Sequence, residues 1–152
     1  MEIDLDNRTE RPIDGDHWTQ VLTAYLREMG LPDDTGVSVS FVTDAEIQIL
    51  NQRYRDIDAP TDVLSFSAEE GEDGTILPPV PGLPRYLGDI ILSVETVSRQ
   101  AVAQSHSWDR EAAVLLAHGV LHLLGYDHVE PDETAVMFAK QEALADQAAS
   151  IS

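Results

Sequence analysis

The chain has 152 residues, 43% of them apolar, which is enough for one hydrophobic core and too many for a disordered polymer. It contains no cysteine, so disulfides, thiolate catalysis and sulfur-ligated zinc are excluded, and any metal must be held by imidazole nitrogen or by oxygen. Twenty-eight acidic residues against nine basic ones give a net charge of −19, which argues against a broad basic nucleic-acid footprint and reads as a solvated acidic surface suited to a salty cytosol.

The first residues, Met1 to Asp6, lack a basic start and a hydrophobic signal segment, and no apolar run is long enough to cross a bilayer. A cytoplasmic location is therefore expected, with no membrane partner. Ile3 and Leu5 alternate with acids and predict a short strand. Trp18, Val21, Leu22, Tyr25, Leu26 and Met29 fall at helical spacing, with Asp14 or Asp16 as the cap and Gly30-Leu31-Pro32 as the stop. Val37, Val39 and Phe41 alternate in a second strand. Thr43-Asp44-Ala45-Glu46 has the form of a capping box and opens a helix that turns Ile47 and Leu50 inward and ends near Tyr54.

Val63 to Phe66 predicts another strand. Residues 68–85, rich in proline, glycine and acids, predict a surface loop of unusual length. Tyr86 to Leu92 reads as a strand interrupted by Gly88-Asp89. Ser93 then caps a helix running to about Ser105, with Val94, Val97 and Ala101 on one face. Ser107 caps the next helix, which has Asp109 and Glu111 in its first turn, is apolar nearly all round and stops at Gly125. Pro131 opens the last helix, whose inner face is expected to carry Met137, Phe138, Gln141 and Leu144. Residues 149–152 are expected to fray. These elements imply one α+β domain over residues 1–152, a small mixed β-sheet packed with about five helices around a metal-binding central helix.

Three of the five histidines lie in His118-Gly119-Val120-Leu121-His122-Leu123-Leu124-Gly125-Tyr126-Asp127-His128. On a helix, His118 and His122 are one turn apart and project from the same face. Gly125 lets the chain reverse, so that His128 can return as a third ligand. Three neutral imidazoles suit one Zn²⁺ per chain and leave a fourth position for water, as catalytic sites do. The spacing is that of the metzincin proteases, but Gly119 stands where such a protease carries its glutamate base, which weighs against peptide hydrolysis. His17 and His106 sit at helix boundaries among polar residues and read as structural or solvent-exposed.

The segment from His118 to His128 resembles the signature of the YbeY family of bacterial endoribonucleases. Asn51-Gln52-Arg53-Tyr54-Arg55, followed by Asp58-Ala59-Pro60-Thr61-Asp62-Val63-Leu64-Ser65-Phe66, is similar to that family's second motif, and Leu87-Gly88-Asp89-Ile90 to a third. Together these motifs span roughly residues 37 to 140. The resemblance implies metal-dependent cleavage of single-stranded RNA, maturation of the 3′ end of small-subunit (16S) ribosomal RNA and a role in ribosome quality control. It also implies zinc on His118, His122 and His128, a functional arginine at Arg55, and ribosomal proteins and assembly GTPases as partners; DNA is not an expected substrate. Arg55 and His118 are the candidate catalytic residues.

Asp62, Ser65, Asp89 and Asp127 are weaker candidates, Asp62 as a turn former and Asp89 or Asp127 as a residue that orients a ligand imidazole. Arg53, Arg55 and Arg85 are the candidates for a local basic groove. Trp18 and Trp108 read as core. Two other classes compete with the endoribonuclease: a zinc metalloprotease-like hydrolase, and a non-enzymatic, metal-stabilised ribosome assembly factor.

Overall fold

A computed structural model describes residues 1–69, 77–78, 80–126 and 131–151. Nine elements follow in order: β1 (Glu2–Asn7), α1 (Gly15–Glu28), β2 (Gly36–Val42), α2 (Asp44–Arg55), β3 (Val63–Ser67), β4 (Tyr86–Ser93), α3 (Val94–Ala103), α4 (Trp108–Leu123) and α5 (Pro131–Ala148). The four strands form one sheet in the order β1-β2-β4-β3. β1, β2 and β4 run parallel, and β3 lies antiparallel to β4 at the edge. This is the expected α+β fold with a small mixed sheet and five helices.

Alternation along the strands divides the apolar residues between the two faces. Val37, Val39, Phe41, Ile90 and Leu92 join the main core with residues of α1, α3, α4 and α5. Val42 and Leu64 face the other way, where Ile47 of α2 seals a second, smaller cluster. The central helix α4 is buried along most of its length, as its all-round apolar sequence requires. Tyr25 ties α1 to it by donating its hydroxyl to the Ala113 carbonyl at 2.8 Å, and burial pushes that phenol well above its ordinary pKa.

The expected caps are present. Asp14, Thr43, Ser93 and Ser107 each accept a backbone N–H in the first turn of their helix. The carboxylate of Glu46 is turned towards Arg8 at 3.4 Å, and the first helical N–H, on Asp44, is taken by Glu95 at 2.8 Å. α4 ends in a Schellman motif. Gly125 adopts φ 94°, its N–H reaches the His122 carbonyl at 3.0 Å, and the Tyr126 N–H reaches Leu121 at 3.0 Å.

Gly88 carries the interruption in β4. Between Tyr86 and Asp89, β4 spends one more residue than its partner β2 does between Gly36 and Ser38, which is a β-bulge. Gly88 has φ 136°, and a Cβ there would lie 2.1 Å from the Phe66 carbonyl oxygen. Only glycine allows β3 to pair so closely at this point. We expect Gly88→Ala to cost about 3 kcal/mol or more, a fall of about 6–12 °C in melting temperature for a chain of this size. Thermal unfolding by circular dichroism reads it, and an unchanged melting temperature would contradict this account of the bulge.

Three expectations are corrected. Phe138 is 60% exposed, while Met137, Leu144, Ala145 and Ala148 form the buried face of α5. Apolar character alone does not fix the inward face of a helix in which alanines supply much of the packing surface. Residues 149–151 do not fray: the Ile151 N–H bonds to Ala148 at 3.0 Å and its side chain packs on the main core. Arg85 is not available to a groove, because its guanidinium donates from Nε (3.0 Å) and Nη2 (2.7 Å) to the two oxygens of Glu69. That half-buried pair closes the base of the expected 68–85 loop, of which residues 70–76 and 79 lie outside the described residues.

Candidate functional site

The C-terminal end of α2, the start of β3 and the C-terminal part of α4 meet in a cleft of about 230 Å³ lined by Arg55, Thr61, Asp62, Val63, Ser65, His118 and His122. Local chemistry fixes each wall. α2 stops because Asp56 turns left-handed (φ 60°), with its N–H on Gln52 and that of Ile57 on Asn51. The following loop is folded back against the helix by the Asn51 side-chain amide, which donates to the Ala59 carbonyl at 2.9 Å, and by Gln48, which donates to Asp58 at 3.0 Å. Arg55 is therefore held at the mouth of the turn.

Asp62 anchors the opposite wall. Its carboxylate accepts the Val63 N–H at 2.7 Å and the Gln100 amide at 3.3 Å, and its carbonyl accepts the Ser93 N–H at 2.9 Å. These contacts make Asp62 the residue that starts β3. Val63 and Ser65 alternate on the face of β3 that meets α4, pairing with Leu92 and Ile90.

His118 and His122 project from one face of α4, half-buried, with ring centroids 4.7 Å apart. The His118 Nδ1–H donates to Oε1 of Gln141 on α5 at 2.9 Å. An amide oxygen only accepts, so the contact matches an imidazole protonated at Nδ1, the form in which Nε2 can ligate a metal. The chemistry of this pair fits a borderline divalent ion such as zinc. Asp127 and His128 lie outside the described residues, and among the described residues no three histidine, aspartate or glutamate side chains form a metal-binding group.

Gly119 has a packing reason to be glycine. A Cβ at this position would lie 3.0–3.2 Å from three side-chain carbons of Ile90, so α4 rides directly on β4 here. A glutamate would be driven into the sheet rather than presented to the cleft.

Charge separates Arg55 from most of the other cations. Of the nine basic residues, Arg8, Arg27, Arg85, Arg99 and Arg110 are ion-paired, while Arg11 and Lys140 lie over the rings of Trp108 and Tyr126. Arg53 and Arg55 alone have no such partner among the described residues, in a chain with more than three acids for every base. Both lie in the last turn of α2, where the helix dipole favours positive charge.

The other candidates are placed elsewhere. Asp89 is exposed on the opposite face of the sheet, where it accepts the Tyr86 hydroxyl at 2.9 Å, so it does not orient either imidazole. His106 pairs with the buried Glu111 at 2.6 Å, and His17 packs edge-on against Trp18. Trp18 is buried; Trp108 is partly buried against it and carries Arg11 on its ring. Gln141 was readable only as one of several residues on an inner helix face. The sole signal was a polar side chain on that face.

Gln141→Leu removes the acceptor that sets the His118 tautomer, and metal affinity is expected to fall by about 10–100-fold with the fold intact. Competition with a chromogenic chelator measures it, and unaltered affinity would show that Gln141 does not orient the ring.

The profile of the family described as Endoribonuclease YbeY matches residues 4–149. The chain is 50% identical over 111 residues to an Endoribonuclease YbeY of Lysinibacillus sphaericus, covering 73% of this chain and 71% of that one. It is 52% identical over 107 residues to the Endoribonuclease YbeY of Halalkalibacterium halodurans, covering 70% and 67%. A Thermotoga maritima protein solved in solution superimposes with a TM-score of 0.64 at 26% identity, over 96% of this chain and 88% of that one.

Proposed function

The chain belongs to the YbeY family of endoribonucleases, and from that premise we propose that it cuts single-stranded RNA with one divalent ion on His118, His122 and His128 and with Arg55 on the scissile phosphate. The observation that carries this reading is the shared cleft: Arg55, which has no ion pair among the described residues, lines it together with two imidazoles one helical turn apart.

The chemistry follows from the side chains. A phosphodiester entering the cleft meets the planar fork of Arg55, which can donate two N–H groups to its non-bridging oxygens and offset the charge that builds there as the bond breaks. Repulsion from the acidic surface is weakened beyond about 8 Å at physiological salt, so the local cations govern the last approach. A divalent ion held by these imidazoles would supply Lewis acidity towards a phosphate oxygen or a water. Gln141 holds the His118 ring in its ligating tautomer, and Asp62 keeps β3 in place as the far wall.

A peptidase is disfavoured, because position 119 is packed against Ile90 and no carboxylate lining the cleft stands in for the missing glutamate. Asp62 lines the cleft, but its oxygens are already engaged by Val63 and Gln100. A purely structural assembly factor would leave unexplained an Arg55 that has no ion pair among the described residues.

We assign the finer role, 3′-end maturation of small-subunit ribosomal RNA and ribosome quality control in the cytoplasm, on the family's account. Among the described residues no helix is long and apolar enough to cross a membrane. The test is complementation: cells lacking this protein should accumulate small-subunit precursor with an unprocessed 3′ end, cured by the wild type and not by Arg55→Ala. Normal 3′ ends in cells without the protein would refute this role.

A further inference from the structure

Next to Arg55 in sequence, α2 presents an aromatic ring that no part of the chemistry above uses. Tyr54 is 61% exposed although it precedes Arg55 directly in sequence. Its ring is braced edge-on by Phe66 of β3, with centroids 5.2 Å apart and planes inclined at 61°. Phe66 is itself half-buried in the smaller core beside Leu64 and Ile91, so the brace is anchored. A ring held edge-on by an anchored neighbour keeps one orientation and leaves its π face open to a flat partner.

The surroundings indicate what covers it. Arg53 and Arg55, the two cations without an ion pair or ring contact among the described residues, flank Tyr54 in sequence. A braced aromatic face between two arginines in sequence, neither ion-paired among the described residues, matches the two halves of a nucleotide, a flat base and a phosphate. We propose that Tyr54 is the base-stacking platform of this enzyme: it receives one unpaired base next to the phosphate held by Arg55. This rests on the endoribonuclease reading and adds its substrate specificity. A duplexed base is already stacked on both sides and cannot turn onto the ring without losing those contacts, so the platform selects single strands.

The test uses the metal-loaded full chain and a short oligoadenylate. In Tyr54→Ala the KM for cleavage should rise by about ten-fold, the scale of one lost base–aromatic stack, with metal content unchanged. Tyr54→Phe keeps the π face and should restore KM to near the wild-type value. Val102→Ala, which removes an even more exposed apolar side chain on α3, should have no effect. In a separate experiment, the added indole of Tyr54→Trp should be quenched by oligoadenylate and not by a ribose-phosphate strand without bases. RNA cleavage with an unchanged KM in Tyr54→Ala, or equal quenching by the two strands, overturns the platform alone. Failure of the wild type to cut any RNA overturns the proposed function and the platform with it.

Discussion

His122→Ala is expected to lower metal content from about one ion per chain to a small fraction, and RNA cleavage by more than about 10³-fold. The two imidazoles that remain form a much weaker site, and with the ion goes the strongest local positive charge in a chain of net charge −19. The same replacement should abolish a thermal effect seen in the wild type. An ion present at about 100 times its dissociation constant stabilises the folded state by about 2.7 kcal/mol, so chelation should lower the wild-type melting temperature by roughly 5–11 °C. In His122→Ala, chelation should change almost nothing. Full metal occupancy in that variant, measured by plasma emission spectroscopy after gel filtration, would remove α4 from the metal site.

Arg55→Ala should lose about 10²–10³-fold in kcat while keeping its metal and its melting temperature. The residue is exposed at the end of α2 and carries no ion pair among the described residues, so its removal leaves no buried partner stranded. Arg55→Lys should recover only part of the loss, because an ammonium is a point charge and cannot bind two phosphate oxygens as the planar fork does. Turnover at the wild-type rate in Arg55→Ala, with single-turnover kinetics confirming that chemistry is being measured, would end the assignment.

The paired imidazoles were legible in the sequence because their signal is local, whereas Arg55 was singled out by the family resemblance. The i, i+4 spacing of His118 and His122, the Ser107 cap and the Gly125 stop all operate within one helix. The caps at Asp14, Thr43 and Ser93 were legible for the same reason. What stayed hidden depends on contacts across the fold. Gly88 looked like a mere interruption of a strand, yet its necessity comes from the Phe66 carbonyl on the neighbouring strand. Gly119 was read as a missing base, and Ile90 supplies its positive reason. Gln141 reaches His118 from a different helix, and the pairing of Arg85 with Glu69 spans sixteen positions. Asp89 looked like a helper for the imidazoles until the strand placed it on the far face of the sheet. Local pattern reports which residues are chemically able; the pleat and the packing decide which of them meet.

The most direct test of the central claim sets four substrates before the zinc-loaded wild type: an unstructured RNA, the same RNA annealed to its complement, single-stranded DNA of the same sequence, and casein. The account predicts that the unstructured RNA is cut, that the duplex resists because its stiff backbone does not bend into the cleft, and that DNA and casein remain intact. Arg55→Ala and His118→Ala should both lose the cleavage. Intact RNA together with degraded casein, the latter abolished by His118→Ala, would contradict the account and establish a peptidase in its place.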